Sequence, residues 1–244
     1  MIPKIIHYCW FGPKPLPPLA ERCIASWRQH MPEWELRLWS EANFDVSSVS
    51  FVREAYELGK YAFVSDYVRL RAVQQHGGLY LDTDVELLRP LDEVCARSPW
   101  LAREEGQAGR YYPALGLGFA LPEGHWFAGR MLEVYERTSF PRSAEGLHEV
   151  TVIRIAAEVL EPMGLDIADM HQDIEGLHIY PTEYFAPRGY HNQKLRITPQ
   201  THSVHHYHAS WMPRGQRIKD LIAQRLGRLG QWLLRLKGWL SRSS

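Results

Sequence analysis

The stretch Gly77-Gly78-Leu79-Tyr80-Leu81-Asp82-Thr83-Asp84-Val85 decides how this chain reads. Two glycines break a helix, a short apolar run makes a strand, and two acids one residue apart follow where that strand ends. Side chains at i and i+2 of an extended segment point the same way, so both carboxylates can reach one hard cation. Mg²⁺ and Mn²⁺ prefer such oxygen ligands and keep coordination sites for phosphate oxygens. The structural alternative is a turn or a helix cap that needs no metal.

Just upstream, Ser65 reads as a helix N-cap, Asp66 as a first-turn acid, and Gly77 as the left-handed residue that ends the helix. Tyr67, Leu70 and Val73 supply an apolar stripe at helical spacing. Asp66 and Arg69 are three apart and share a face. They serve either as a capping ion pair or, beside the Asp-x-Asp, as a pair that grips a substrate.

Further out, Ile5 to Phe11 reads as a buried first strand stopped by Gly12-Pro13. A helix follows over 19–29, and Glu35 to Trp39 forms a second strand. This βαβ opening predicts a parallel sheet with right-handed crossovers. Helices are expected over 51–58, 125–138 and 150–163, a strand with Gly116 and Gly118 over 114–121, and extended or looped chain over 176–187 and 201–211. Trp10 lies at the carboxyl end of the first strand, where open α/β sheets bind nucleotides; its ring either stacks on a base or fills the core. His202, His205, His206 and His208 crowd one segment. In a strand His206 and His208 share a face and His205 lies opposite. Such imidazoles are either solvated or supply a third ligand to the Asp-x-Asp cation. With no cysteine nearby, a zinc site is disfavoured.

A chain of 244 residues with 45% hydrophobic and 23% charged residues suits one α/β domain. Cys9, Cys23 and Cys95 show no metal spacing, which favours free thiols in a reducing, cytoplasmic setting. There is no long apolar signal region and no run of about eighteen apolar residues that would cross a membrane. From Arg214 onward, eight Lys or Arg stand against one acid, Asp220, which leaves 20 basic and 27 acidic side chains before it, a net of −7. An acidic body argues against nucleic acid as a partner. The catalytic domain is therefore placed at 1–213 and a basic tail at 214–244. In that tail Ile222, Leu226, Leu229, Leu233, Leu236 and Leu240 form an apolar face opposite arginines. This amphipathic helix suits an anionic membrane surface at the inner face of the plasma membrane, or packing against protein.

Four blocks, in order, carry a resemblance: Ile2 to Gly12, Lys60 to Arg69, Gly77 to Asp84, and His205 to Trp211 with its His-His-Tyr-His-Ala-Ser-Trp ending. Together they resemble glycosyltransferase family 32, and the middle block is similar to the core of glucosylating toxins. The resemblance implies a GT-A type nucleotide-binding α/β sandwich around a mostly parallel sheet. It implies a retaining, metal-dependent transferase that moves a sugar from a nucleotide diphosphate, UDP in preference, to a glycan or lipid-linked acceptor in surface polysaccharide synthesis. Trp10 matches the residue that stacks on the base, and Asp66 and Arg69 match the pair that grips the donor sugar. Asp82 would contact ribose or sugar and help place Mn²⁺ or Mg²⁺, and Asp84 would bind that ion directly. By the same resemblance His206 is the third metal ligand with His208 as fallback, Ser210 touches metal or phosphate, and Trp211 donates its indole N–H to the leaving diphosphate. The rival readings are a phosphatase or phosphotransferase with Asp82 as nucleophile, and a non-catalytic nucleotide-sugar-binding protein.

Overall fold

The computed structural model describes residues 2–188 and 195–207. The chain opens as β1 (Ile5–Cys9), α1 (Pro18–His30) and β2 (Glu35–Trp39), and β1 and β2 pair in parallel from Ile5↔Glu35 to Cys9↔Trp39. Two helices follow, α2 (Ser50–Glu57) and α3 (Tyr61–His76), then β3 (Gly78–Tyr80), β4 (Val85–Leu87) and α4 (Asp92–Ala96). Next come β5 (Trp100–Glu105), β6 (Tyr111–Pro113), β7 (Phe119–Leu121), α5 (Trp126–Arg137), α6 (Ala144–Glu149) and α7 (Val152–Leu160). The described chain ends with β8 (Gln172–Ile174), β9 (Leu177–Tyr180), α8 (Thr182–Phe185) and β10 (Ser203–His205).

The main sheet runs β2-β1-β3-β7-β5-β9-β8, with β6 on β5. Its parallel pairs are β1–β2, β1–β3 and β5–β9, and β7 runs antiparallel between β3 and β5. Two reversals restore direction, so β1, β3 and β5 all point one way and their carboxyl ends share an edge. Strand alternation divides the core. Ile6, Tyr8, Leu79, Leu81 and Ala120 pack toward Ile24 and Trp27 of α1, whereas Cys9, Tyr80, Phe119 and Leu121 pack toward α2, α3, α5 and α7. The result is the expected α/β sandwich, with helices on both faces of the sheet.

Helix α3 sits deepest. Phe63, Val64, Tyr67, Val68, Leu70, Ala72 and Val73 are all buried, so the helix is covered on most of its circumference rather than along a single stripe. It starts at Tyr61, a full turn before the expected Ser65 cap, and Ser65 Oγ instead bonds back to the Tyr61 carbonyl at 3.1 Å. Asp66 is thus an interior residue, not a first-turn acid. Gly77 ends the helix at φ 60 and ψ −178, and Gly78 follows at φ 113. A Cβ on Gly78 would stand 2.8 Å from the Ile5 carbonyl, so the glycine pair lets β3 leave the helix and pair with β1 at once. The strand expected over 114–121 is in fact a turn closed by Leu117 N–H to Ala114 O at 3.1 Å, followed by the short strand β7.

His7 ties these parts together. Wholly buried, it accepts from Trp39 Nε1 at Nδ1 (3.0 Å) and donates from Nε2 to the Gly77 carbonyl (2.9 Å), which defines a neutral ring. Burial is the main cause that pushes its pKa down to about 4. The unfolded chain therefore takes up a proton at His7 below pH 6.5 while the folded one does not, so stability is lost as the pH falls from 6.5 toward 4. Asp66, with a pKa raised to about 6, acts in the opposite sense between 6 and 3.8, so a comparison with a variant isolates His7. His7→Gln is expected to gain on the wild type by about 3 kcal/mol as the pH drops through that window, measured by urea unfolding. A stability difference that stays constant with pH contradicts this.

Candidate active site

Three elements converge on the carboxyl edge of β1, β3 and β5. The buried face of α3 presents Asp66 and Arg69, whose Nη2 and Oδ1 are 2.9 Å apart. The same Arg69 Nη2 reaches Asp82 Oδ1 at 3.2 Å, Arg69 Nε donates to the Ser65 carbonyl at 3.2 Å, and the guanidinium lies 4.9 Å from the Tyr80 ring centroid. Tyr80 donates its hydroxyl to Asp82 Oδ1 at 2.7 Å. Asp66 also accepts from the backbone N–H of Val152, the first residue of α7. A helix N-terminus thus faces this carboxylate.

Beyond β3 the backbone does not stay extended. The Val85 N–H bonds to the Asp82 carbonyl at 3.0 Å, which folds Asp82-Thr83-Asp84-Val85 into a turn. The two acids converge through that turn, not through strand alternation. Asp82 N–H is fixed to the Gly116 carbonyl at 3.2 Å, and α1 anchors the far side through Trp27 Nε1 to Val85 O at 2.7 Å and Leu87 N–H to Ser26 Oγ at 2.9 Å. Strand β4 then pairs antiparallel with β10, His205 opposite Val85. This two-stranded sheet returns the distant histidine segment to the turn. His205 Nε2 meets Asp84 Oδ1 at 2.9 Å, and ligand-capable atoms of Asp82, Asp84 and His205 all lie within 4.8 Å of one another.

The histidine assignment therefore changes. His206 bonds Glu86 Oε2 at 2.8 Å and is not part of the Asp82–Asp84 cluster; the imidazole brought there is His205. The physical reason is register: β10 ends at His205, and the chain beyond departs from strand alternation, with Tyr207 at φ 47. His208, Ser210, Trp211 and the expected tail at 214–244 lie outside the described residues. Trp10 stands half-buried just past β1, its indole N–H donating to the Lys14 carbonyl at 2.6 Å.

Glu104, near the end of β5, is a further carboxylate that the sequence motifs do not single out. It accepts from Tyr207 OH at 3.3 Å and lies close enough to His205 and Asp82 for their charges to be felt. Arg103-Glu104-Glu105 looks like polar surface in sequence; the one signal for it is its place at the end of the buried run Trp100-Leu101-Ala102.

Negative charge is crowded here. Burial, reinforced by Asp82, raises Asp66 to about 6 against the pull of Arg69. Asp82 and Glu104 are likewise raised, chiefly by burial. Burial works to lower the pKa of His205, but its contact with Asp84, helped by Asp82 and Glu104, leaves it raised overall. Arg69 keeps its charge, since Asp82, Tyr80 and Asp66 outweigh its desolvation. Two carboxylates and an imidazole within ligand reach, in a cluster with more acids than cations, fit a hard divalent ion of the Mg²⁺ or Mn²⁺ type.

Residues 17–104 match the family described as the glycosyltransferase sugar-binding region containing a DXD motif. Among solved structures, the fold is similar to the PaToxG glycosyltransferase at a TM-score of 0.50, with 15% identity over 66% of this chain and 69% of that one. A galactosyltransferase, LgtC, solved with donor and acceptor sugar analogs, matches at a TM-score of 0.35 and 15% identity over 60% of this chain and 69% of that one. No curated protein sequence matches significantly. Residues 17–104 thus match a DXD-containing sugar-binding region, on an α/β sandwich whose fold is similar to that of the PaToxG glycosyltransferase.

Gly116 provides a test of the geometry. A Cβ there would overlap Asp82 Oδ2, and that carboxylate cannot swing aside because Arg69 and Tyr80 hold its other oxygen. Gly116→Ala is expected to weaken Mn²⁺ binding at least about tenfold in calorimetric titration while the far-ultraviolet circular dichroism stays native. Wild-type affinity in that variant contradicts the arrangement.

Proposed function

We propose that this protein transfers a sugar from a nucleotide diphosphate donor, UDP-linked in preference, to a hydroxyl of a glycan or lipid-linked saccharide, with Mn²⁺ or Mg²⁺ and with retention at the anomeric carbon. The observation that carries this reading is the Asp82–Asp84–His205 cluster beside the Arg69–Asp66 pair, at the sheet edge where β1 and β3 end. The DXD-containing sugar-binding region over residues 17–104 supports it. Membership of glycosyltransferase family 32 is part of the proposal and rests on the four ordered sequence blocks.

Asp82, Asp84 and His205 would hold the ion. Bound there, it supplies charge neutralisation for the departing diphosphate. Arg69 and Asp66 hold sugar hydroxyls as donor and acceptor of hydrogen bonds, in a buried setting that limits water and fixes the anomeric carbon for attack at close range. Trp10 offers a ring at the carboxyl end of β1 for the base, and by the sequence resemblance Ser210 and Trp211 would contact the diphosphate. No covalent nucleophile is assigned, and retention would follow from attack on the face from which the diphosphate leaves. The acceptor reading extends to surface polysaccharide synthesis at the inner face of the plasma membrane, where the basic tail would bind anionic lipid. Flotation with anionic liposomes tests the tail: the full chain should float, and a chain ending at Pro213 should not. Equal partitioning of the two removes the membrane role.

The catalytic reading is tested by release of UDP from UDP-sugars with and without Mn²⁺. Hydrolysis should require the ion, and Asp84→Ala should lower it at least about 100-fold with the fold intact. Release of inorganic phosphate in place of UDP, or an Asp84→Ala variant as active as wild type, contradicts it.

A further inference from the structure

Resting on that reading of the site, we propose that Tyr80 is a positioning residue for the transfer: its hydroxyl locks the Asp82 carboxylate into the orientation the ion site requires. Tyr80 closes β3 and turns to the α3 face of the sheet, away from Leu79 and Leu81. It is wholly buried, and its ring is clamped between Phe119, stacked at 5.6 Å between centroids, and the Arg69 guanidinium at 4.9 Å. The hydroxyl has little freedom left, and it points at Asp82 Oδ1, 2.7 Å away.

The effect on Asp82 follows from the count of donors. A carboxylate torsion is broad and nearly two-fold, so an aspartate with one partner exchanges its oxygens readily. Here Tyr80 OH and Arg69 Nη2 both engage Oδ1, at 2.7 and 3.2 Å, from directions set by a rigid ring and a buried guanidinium. Oδ2 is then the oxygen turned toward Gly116, the position whose missing side chain leaves it room. A hydrogen bond to an ionised acceptor is of the stronger kind, so the hydroxyl contributes both direction and energy. A phenylalanine would fill the same core volume but could not do this.

The alternative is that Tyr80 only fills the core and that its hydroxyl found Asp82 because a buried hydroxyl needs a partner. The two roles separate on metal affinity, which packing alone does not move. Full-length Tyr80→Phe is expected to bind Mn²⁺ about tenfold more weakly by calorimetric titration, with the midpoint of metal-free melting shifted by only a few degrees. Phe119→Leu loosens the ring clamp but keeps the hydroxyl; it should lower the melting midpoint yet leave Mn²⁺ affinity within about twofold of wild type. In an Asp82→Asn background, Tyr80→Phe should add less than about a further twofold loss, because the two residues act as a unit. Wild-type Mn²⁺ affinity in Tyr80→Phe, with Asp84→Ala still abolishing binding, overturns the role of Tyr80 and leaves the ion site standing. An equal loss in Phe119→Leu also overturns it. Absence of Mn²⁺ binding to the wild type overturns the ion site itself and this proposal with it.

Discussion

The buried guanidinium of Arg69 is the contact on which the rest of the site depends. It offsets the shared negative charge of a buried Asp66 and of part-buried Asp82 and Asp84 on the β3 turn. Arg69 holds two of them, Asp66 and Asp82, through a single nitrogen, while its Nε is bound to the Ser65 carbonyl and its face rests on Tyr80. Burying such ions carries a desolvation cost that a well-packed apolar group would avoid, so their presence is poor evidence for stability and good evidence for a task. The fold meets the cost by sinking α3 into the core, where the helix sets the spacing of Asp66 and Arg69 and the sheet sets the distance to Asp82.

The second constraint is long-range. Local sequence delivers Asp82 and Asp84 together, but the third group comes from more than a hundred residues downstream, through the β4–β10 ladder. This small sheet is fastened to α1 by Trp27 and Ser26, so three separate parts of the chain fix the distance between Asp84 and His205. The α1 helix, remote from any chemistry in sequence, is therefore part of the support of the site. Glu104 and Tyr207 extend the same assembly toward the end of β5.

Much of this is legible in the amino-acid sequence. The βαβ opening, the helix through Asp66 and Arg69, the glycine pair and the two acids are local patterns, and local patterns fix local geometry. The Asp66–Arg69 pairing follows from helical spacing alone. What the sequence does not reveal is whatever depends on partners far along the chain. Ser65 has the chemistry of a cap, yet Phe63, packed against Phe140, and Tyr61, packed against Tyr56 of α2, carry the helix past it. Strand alternation would bring the acids of the Asp-x-Asp together, whereas a turn does so, because pairing with β1 ends at Tyr80. His205 and His206 differ by one residue, and a one-residue slip of register exchanges the two faces of a strand. Only the ladder with β4 decides which of them meets Asp84.

The central claim is that Asp82, Asp84 and His205 form one divalent-cation site at the edge where nucleotide and sugar would lie. Anomalous diffraction at the manganese edge, from crystals grown with Mn²⁺ and UDP, tests it most directly. The account predicts one strong peak bonded to Asp84 and His205 beside Asp82, with the diphosphate against it. A peak elsewhere on the surface, with UDP bound away from Asp84, would contradict it.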